Sequence, residues 1–141
     1  MGNINNKYSN ILFKLALKAY RKNEVPVSAI IVYKDKIISR SYNQKNLKSI
    51  ALFHAEIICI YKACKKLKRW NLEGCKMYIT LEPCDMCKNA IQEARLDEVY
   101  YILSKGTITN RYIKTKYEQM YVSNADKYEE MLKTFFKQMR K

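Results

Sequence analysis

Three metal-binding side chains and one carboxylate stand at informative spacings in this chain of 141 residues. Cys84 and Cys87 form a Cys-x-x-Cys pair, and the only histidine, His54, stands two residues before Glu56. A structural zinc site normally closes with four protein ligands, whereas a catalytic site uses three and leaves one position for water. The sequence therefore predicts one Zn²⁺ per subunit, held by His54, Cys84 and Cys87, with Glu56 as the base that accepts the water's proton.

Helix geometry restricts where these residues can lie. Cys84 and Cys87 are three positions apart and face one side of a helix. In the first turn of that helix, unpaired N–H groups and the helix dipole favour thiolates. Residues two apart on a regular helix diverge, so His54 and Glu56 reach one metal only if His54 lies at the mouth of its helix.

Other interpretations of these residues compete with a catalytic metal. A Cys-x-x-Cys pair alone is a weak signal, since it is also found in redox, structural and accidental settings. Redox activity does not explain the upstream His-Ala-Glu. The main rival is a closed Cys₃His structural site that recruits Cys59, Cys64 or Cys75, although small buried hydrophobes are the commoner role for such cysteines. Glu56 by itself also suits a helix start favoured by the dipole.

The composition indicates one globular domain over residues 1–141 with a polyanionic partner. Lys and Arg number 27 against 13 Asp and Glu, a net charge of +14, which favours RNA or DNA ahead of a membrane surface. A lysine-rich composition spread along the chain is the alternative explanation. Five cysteines, an odd number with two in a metal spacing, favour a reducing compartment. With no signal segment and no run of 18 apolar residues, we expect a cytoplasmic protein without membrane contact.

Hydrophobic periodicity predicts alternating strands and helices. Helices are predicted over residues 8–22, 55–67, 84–94 and 125–141, and strands over residues 25–33, 37–42, 77–81, 99–103 and 120–122. Residues 43–49 are predicted to form a polar loop, and residues 104–117 carry no clear pattern. This order predicts an α/β fold, a three-layer α/β/α sandwich with a central mixed sheet of about five strands.

Four segments of the chain resemble the bacterial tRNA-specific adenosine deaminases. They are Glu-Val-Pro-Val at 24–27, His-Ala-Glu at 54–56, Leu-Glu-Pro-Cys-Asp-Met-Cys at 81–87 and Phe-Phe at 135–136. The resemblance runs over nearly the whole chain. The His-x-Glu and Pro-Cys-x-x-Cys elements are shared with the wider cytidine deaminase superfamily, whereas the longer motifs favour the tRNA enzymes.

This resemblance implies a homodimer that converts adenosine to inosine at the wobble position of a tRNA anticodon. It also implies a substrate contact from Asn43. We further predict substrate contacts from Ala55, Phe135, Phe136 and Arg140, although the two phenylalanines also suit packing of the last helix on the core. Asn43 alternatively fits a turn at the end of a strand. Adjacent helical residues point about 100° apart, so at least one of the two phenylalanines is expected to pack on the core. Arg140 belongs to a group of basic residues in the last helix that suits phosphate contacts.

Two features depart from the family pattern. The family has an Asp-x-Lys-x-Gly-like loop after its fourth strand, where this chain has residues 104–111 with only Lys105 and Gly106 reminiscent of it. Ser28 replaces a usual glycine, and its side chain is expected to narrow the floor of the pocket or to be tolerated there.

Two other functions fit parts of the pattern. A deaminase of a free base or nucleoside, such as guanine or cytidine, would share the zinc site but would not need the charge of +14. A non-catalytic RNA-binding subunit with a structural zinc would not need Glu56.

Overall fold

A five-stranded mixed sheet forms the centre of the computed structural model, which describes residues 2–105 and 115–139. The strands are β1 (Ser28–Tyr33), β2 (Lys36–Tyr42), β3 (Cys75–Leu81), β4 (Glu98–Leu103) and β5 (Lys116–Gln119). The helices are α1 (Gly2–Arg21), α2 (Lys45–Lys48), α3 (Ala55–Leu67), α4 (Asp85–Glu93) and α5 (Ala125–Met139). The strand order is β2-β1-β3-β4-β5, with β1 antiparallel to β2 and β3, and with β3, β4 and β5 mutually parallel.

Helices cover both faces of this sheet because side chains alternate along each strand. Ile31 of β1 joins the core that α3 and α4 cover, together with Cys59 of α3 and Ile91 of α4. Its neighbour Ile30 points to the opposite face, where it packs in a second core with Leu12 of α1. The helix α5 also lies on this second face, beside α1. The predicted three-layer α/β/α sandwich with a five-stranded mixed sheet is therefore confirmed.

One end of the sheet gathers the starts of two helices. Since β1 is antiparallel to both β2 and β3, the carboxyl ends of β2, β3 and β4 lie at the same end. The loop after β2 leads into α3, and β3 leads almost directly into α4. Crevices outside the carboxyl ends of strands are the usual ligand sites of α/β sheets. We refer to this end as the carboxyl edge.

Several predicted boundaries were wrong. The first helix begins at Gly2 instead of residue 8, since its hydrogen bonding extends beyond its apolar stripe. Strand β1 begins at Ser28 instead of residue 25, because Pro26 has no N–H to donate to a ladder. Strand β3 begins earlier than predicted, at Cys75, and the described part of the last helix ends at Met139.

Two predicted segments differ in kind from the observed ones. The fifth strand is Lys116–Gln119, not residues 120–122, and its first two residues belong to the stretch 104–117 that carried no clear pattern. Its exposed charged residues, Lys116 and Glu118, suit a strand at the edge of a sheet. They also obscure the alternation of apolar and polar residues by which a strand is predicted from sequence. The predicted polar loop after β2 contains the short helix α2. Within the described ranges, no helix combines the length and apolarity that crossing a membrane would require.

Candidate active site

Three potential zinc ligands converge at the carboxyl edge. The Nδ1 atom of His54 lies 3.7 Å from the Sγ of Cys84 and 3.5 Å from the Sγ of Cys87. All three ligand atoms lie within 4.8 Å of one another. Around a tetrahedral zinc, bonds of about 2.3 Å to sulfur and 2.0–2.1 Å to nitrogen place sulfur and nitrogen roughly 3.5 Å apart. The three donor atoms therefore fit one zinc ion.

These ligands lie where two helices begin. His54 is the N-cap of α3 and Cys84 is the N-cap of α4, both with extended backbone angles. Neither side chain caps its own helix by a hydrogen bond, so both are available to face each other. Cys87 lies in the first turn of α4 and is fully buried. The predicted placement of His54 at the mouth of its helix is confirmed.

The other three cysteines lie apart from this cluster. Within residues 2–105 and 115–139, the cluster of ligands contains no fourth His, Cys, Asp or Glu. The Sγ of Cys59 lies 3.0 Å from the Oγ of Ser39, and the Sγ of Cys64 lies 3.4 Å from the carbonyl oxygen of Trp70. Cys75 is buried in the core. None of the three closes the site as the Cys₃His alternative would require.

Glu56 lies in the first turn of α3 and lines the same cavity as His54 and Cys84. Only 4% of its surface is exposed, and its Oε1 has no hydrogen-bond partner among the described residues. Burial raises the pKa of this carboxyl group, although hydrogen bonds with its own backbone and Cys87 partly oppose the shift. A buried polar atom without a partner is rare in folded proteins, so it marks a place where a ligand or water binds.

The surroundings of the ligands also suit a metal. Burial and the positive charges of Lys45 and Lys105 lower the pKa of His54, which favours the neutral imidazole that binds metals. Burial and the neighbouring Glu56 and Cys84 raise the pKa of the Cys87 thiol. A thiol in this position requires a cation beside it to ionise, and a bound metal supplies that charge.

A cavity of about 430 Å³ opens in front of these groups. This volume falls in the usual range for small-molecule sites. A larger groove of about 850 Å³, lined by tyrosines such as Tyr8, Tyr78 and Tyr100, opens near the start of β4. That groove contains none of the three clustered ligand residues. We therefore place the candidate active site in the smaller cavity.

The residues predicted to contact substrate fall into three groups. Asn43, Ala55 and Phe136 line the cavity. Phe135 does not, since it is 5% exposed and its ring packs 6.3 Å from that of Tyr20 in α1. The expectation that one phenylalanine belongs to the core is confirmed, and the substrate contact predicted for Phe135 is not formed in this arrangement. Arg140 lies outside the described residues.

Asn43 lies in a turn, as one of its two interpretations predicted, and it also lines the cavity. It follows β2 directly, and its Oδ1 accepts a hydrogen bond of 3.2 Å from the backbone N–H of Lys45. Only 7% of Asn43 is exposed. The carbonyl oxygen thus stabilises the turn into α2.

Two buried carboxylates near the site were not identified from the sequence. Glu24 is fully buried, and its oxygens accept hydrogen bonds of 3.1 Å from the N–H of Asn46 and 2.5 Å from that of Leu47. It therefore caps α2 from more than twenty residues away. The Glu-Val-Pro-Val motif was the only sequence signal for it.

Glu82 connects the segment that carries the cysteines to the exit of β4. Its carboxylate accepts hydrogen bonds from the Nζ of Lys88 at 3.0 Å, the Oγ of Ser104 at 3.0 Å and the N–H of Lys105 at 2.9 Å. Burial alone would raise the pKa of Glu82, but these hydrogen bonds outweigh it and hold the pKa below its usual range. Glu82 thus fixes the chain just before Cys84.

Ser28 does not narrow the cavity. Its hydroxyl donates a hydrogen bond of 2.6 Å to the carbonyl oxygen of Leu12, so the side chain is directed to α1. Its backbone N–H donates to the Oγ1 of Thr80 at 3.1 Å. The serine therefore fastens α1 to the sheet. Most of the divergent loop at 104–111 lies outside the described residues.

Comparison with known proteins places the chain among deaminases. A family model for MafB19-like deaminases matches residues 4–140. The tRNA-specific adenosine deaminase of Bacillus subtilis (strain 168) is 34% identical over 144 residues, which cover 95% of this chain and 89% of that protein. The enzyme of the same name from Aquifex aeolicus (strain VF5) is 34% identical over 148 residues, 94% of each chain.

A solved structure agrees with these relatives. It comes from a study of A-to-I editing by tRNA:A34 deaminases at the wobble position of transfer RNA, and it is 28% identical with a TM-score of 0.75. The alignment covers 81% of this chain and 97% of that one. The chain therefore belongs to the MafB19-like deaminase family, and it is a deaminase related to the tRNA-specific adenosine deaminases.

Proposed function

We propose that this chain deaminates adenosine to inosine at the wobble position of a tRNA anticodon, with one zinc ion per subunit held by His54, Cys84 and Cys87. The names of the relatives supply the substrate. The buried, unpartnered Oε1 of Glu56 beside three potential ligands is the observation that carries the mechanism. A binding module would have no need of a buried carboxylate with one oxygen left without a hydrogen-bond partner.

Glu56 carries protons in both halves of the reaction. His54, Cys84 and Cys87 would hold the zinc ion, which when bound would supply Lewis acidity and lower the pKa of the hydrolytic water. Glu56 accepts a proton from that water, whose oxygen attacks C6 of the purine. Glu56 then donates this proton to N1 of the purine ring. It next transfers the proton of the new C6 hydroxyl group to the amino group, which leaves as ammonia while the C6 carbonyl forms. The sum is adenosine plus water giving inosine plus ammonia, with one carboxylate acting as base and then as acid.

The remaining residues of the cavity orient the base. The Nδ2 group of Asn43 donates to an acceptor on the purine edge, and Phe136 offers an aromatic ring at the rim. Phe136 is 43% exposed, so much of its ring is available to a ligand. A wobble base lies in a single-stranded loop, and moving it into the cavity costs less than extracting a paired base.

The net charge of +14 supports binding of a polyanion such as tRNA. We further propose that the chain acts in the cytoplasm as a homodimer. Analytical ultracentrifugation of the zinc-loaded protein should then give twice the mass of one chain. A species with the mass of one chain at micromolar concentration would contradict the dimer.

The test is deamination of an anticodon stem-loop that carries adenosine at the first anticodon position. Zinc-loaded protein should convert this adenosine to inosine, which reverse transcription reads as guanosine, and should act far more slowly on free adenosine, cytidine or guanine. Turnover of a free base at a comparable rate, without turnover of the stem-loop, would support the small-substrate alternative instead.

A Glu56→Gln variant separates proton transfer from metal binding. The amide keeps the volume of the side chain but cannot accept the proton, so turnover should fall by about 10²–10⁴-fold with zinc content unchanged. Glu93→Gln, an exposed carboxylate at the end of α4, is the matched control. Loss of zinc from the Glu56 variant would show that Glu56 is a ligand.

A further inference from the structure

Two lysines stand at the mouth of the active-site cavity. Lys45 is the first residue of α2, and Lys105 follows the end of β4 by two residues. Both residues line the same cavity as His54 and Glu56, and both are exposed to solvent. They are the only lysines among the described residues that line it.

The two lysines approach the cavity from different sides. Lys45 follows β2, and Lys105 follows β4, and these strands are separated by β1 and β3. Three spacings of about 4.8 Å place the ends of β2 and β4 roughly 14 Å apart. A nucleotide whose base enters the cavity between them would have one ammonium group on either side of its sugar–phosphate backbone.

The backbone of each lysine is fixed to a group of the site. The N–H of Lys105 donates to the buried carboxylate of Glu82 at 2.9 Å. The N–H of Lys45 donates to Asn43, and Glu24 caps the helix that Lys45 begins. Within residues 2–105 and 115–139, neither ammonium group forms an ion pair. The backbone of each lysine is therefore held in place, while its ammonium group is available to a ligand.

We propose that Lys45 and Lys105 bind the two phosphates that flank the target nucleoside, one on each side. A nucleotide that enters the cavity from a continuous strand leaves its 5′ and 3′ phosphates at the mouth. Lysine ammonium groups bind phosphate through charge-assisted hydrogen bonds. The pair would therefore favour a nucleoside within an RNA strand over a free base or nucleoside, and this inference rests on the proposed function.

Lys48 provides the comparison that separates this site from the general charge of the chain. It lies in the same short helix as Lys45 and is also exposed, but it does not line the cavity. Replacing either residue by glutamine removes one positive charge from α2. Only Lys45→Gln should remove a specific phosphate contact.

The experiment measures binding of zinc-loaded protein to an anticodon stem-loop that carries the product inosine at the target position, so that no turnover occurs. Affinity is followed by fluorescence anisotropy between 50 and 300 mM salt. Lys45→Gln and Lys105→Gln should each weaken binding roughly tenfold at ~0.1 M salt. Each should also reduce the slope of log affinity against log salt by about 0.7, the value for one contact to a single strand. Lys48→Gln should leave the slope unchanged.

A neutral methylphosphonate in place of one flanking phosphate identifies the partner of each lysine. If Lys45 binds one of these phosphates, neutralising that phosphate should weaken binding of the stem-loop to the wild-type protein. It should weaken binding to the Lys45→Gln variant little further. The other flanking phosphate should give the same result with Lys105→Gln. Fully additive losses at both flanking positions would overturn the proposal.

Two outcomes distinguish this proposal from the proposed function. If the wild-type protein deaminates the adenosine stem-loop, but all three lysine variants share one salt slope, only the phosphate contacts fail. If the wild-type protein deaminates no RNA, the proposed function fails and the phosphate contacts fail with it. Circular dichroism and zinc content of each variant confirm that the comparison is between folded, loaded proteins.

Discussion

Glu24 should control the active site without touching the substrate. Its carboxylate is fully buried and accepts the N–H groups of Asn46 and Leu47. A helix of four residues is not stable alone, so α2 depends on this cap. Hydrogen bonds to a charged group contribute about 1.5–3 kcal/mol each. Glu24→Gln replaces one acceptor oxygen by a donor and so removes one of these hydrogen bonds. Because the variant no longer buries a charge, part of this loss is offset. We expect the free energy of unfolding to fall by about 2 kcal/mol.

The assay combines stability, hydrogen exchange and kinetics. A loss of about 2 kcal/mol should lower Tm by roughly 7 °C in a domain of this size. The amides of Asn46 and Leu47 should exchange faster, whereas those of β3 should lose protection only by the global amount. Displacement of Asn43 and Lys45 should raise KM for the stem-loop more than it lowers kcat. Glu129→Gln, at an exposed position of α5, is the matched control. Unchanged protection at Asn46 and Leu47 would refute the capping role.

Three other perturbations have expected outcomes. Burial raises the pKa of Cys59 and of Cys75 to about 11, so about one of these thiols in a thousand is ionised at pH 8. In the zinc-loaded protein, Ellman's reagent should therefore label only the half-buried Cys64 quickly. A second thiol that reacts quickly would contradict the burial of Cys59 and Cys75. The hydrogen bond from Tyr100 is the main cause that lowers the pKa of Glu98 below its ordinary value of 4.5. This contribution to stability is present above about pH 4.5 and is lost as the pH falls through the lowered pKa, so the difference in Tm between wild type and Glu98→Gln should shrink on acidification; a constant difference would argue against it. Removal of the metal with a strong chelator should lower Tm and abolish turnover, and both should return with added zinc.

The sequence predicted the parts of the site that depend on local helix geometry. Cys84 and Cys87 must face the same side at the start of one helix. His54 and Glu56 can reach the same metal only if His54 lies at the start of a second helix. These constraints involve neighbouring residues, so a single sequence expresses them. The order of strands and helices likewise follows from local periodicity, which is why the three layers were predicted correctly.

The parts that were missed depend on contacts between distant segments. Glu24 caps a helix whose own residues carry no capping signal, and so α2 was predicted as loop. The contact from Glu82 to Lys105 crosses between β3 and β4, and it has no counterpart in local spacing. Phe135 and Phe136 are adjacent in sequence, and only the packing of α5 against α1 decides which of them is buried.

The electrostatics of the cavity favour a phosphodiester strand over a free base as substrate. Positive potential at the opening of the cavity comes from two helix N-termini and from Lys45 and Lys105. The two negative groups nearby are Glu56, which is buried, and Glu82, whose carboxylate accepts hydrogen bonds. A neutral purine gains little from this field, because its binding depends on stacking and base-edge hydrogen bonds. A nucleotide within a strand carries charge to both sides of the opening, where the lysines stand, while its uncharged base reaches the metal ligands. The charge of Lys105 also acts on Glu56 and lowers its pKa, but burial raises this pKa by a larger amount. Glu56 therefore keeps the ability to accept a proton beside the cations of the opening.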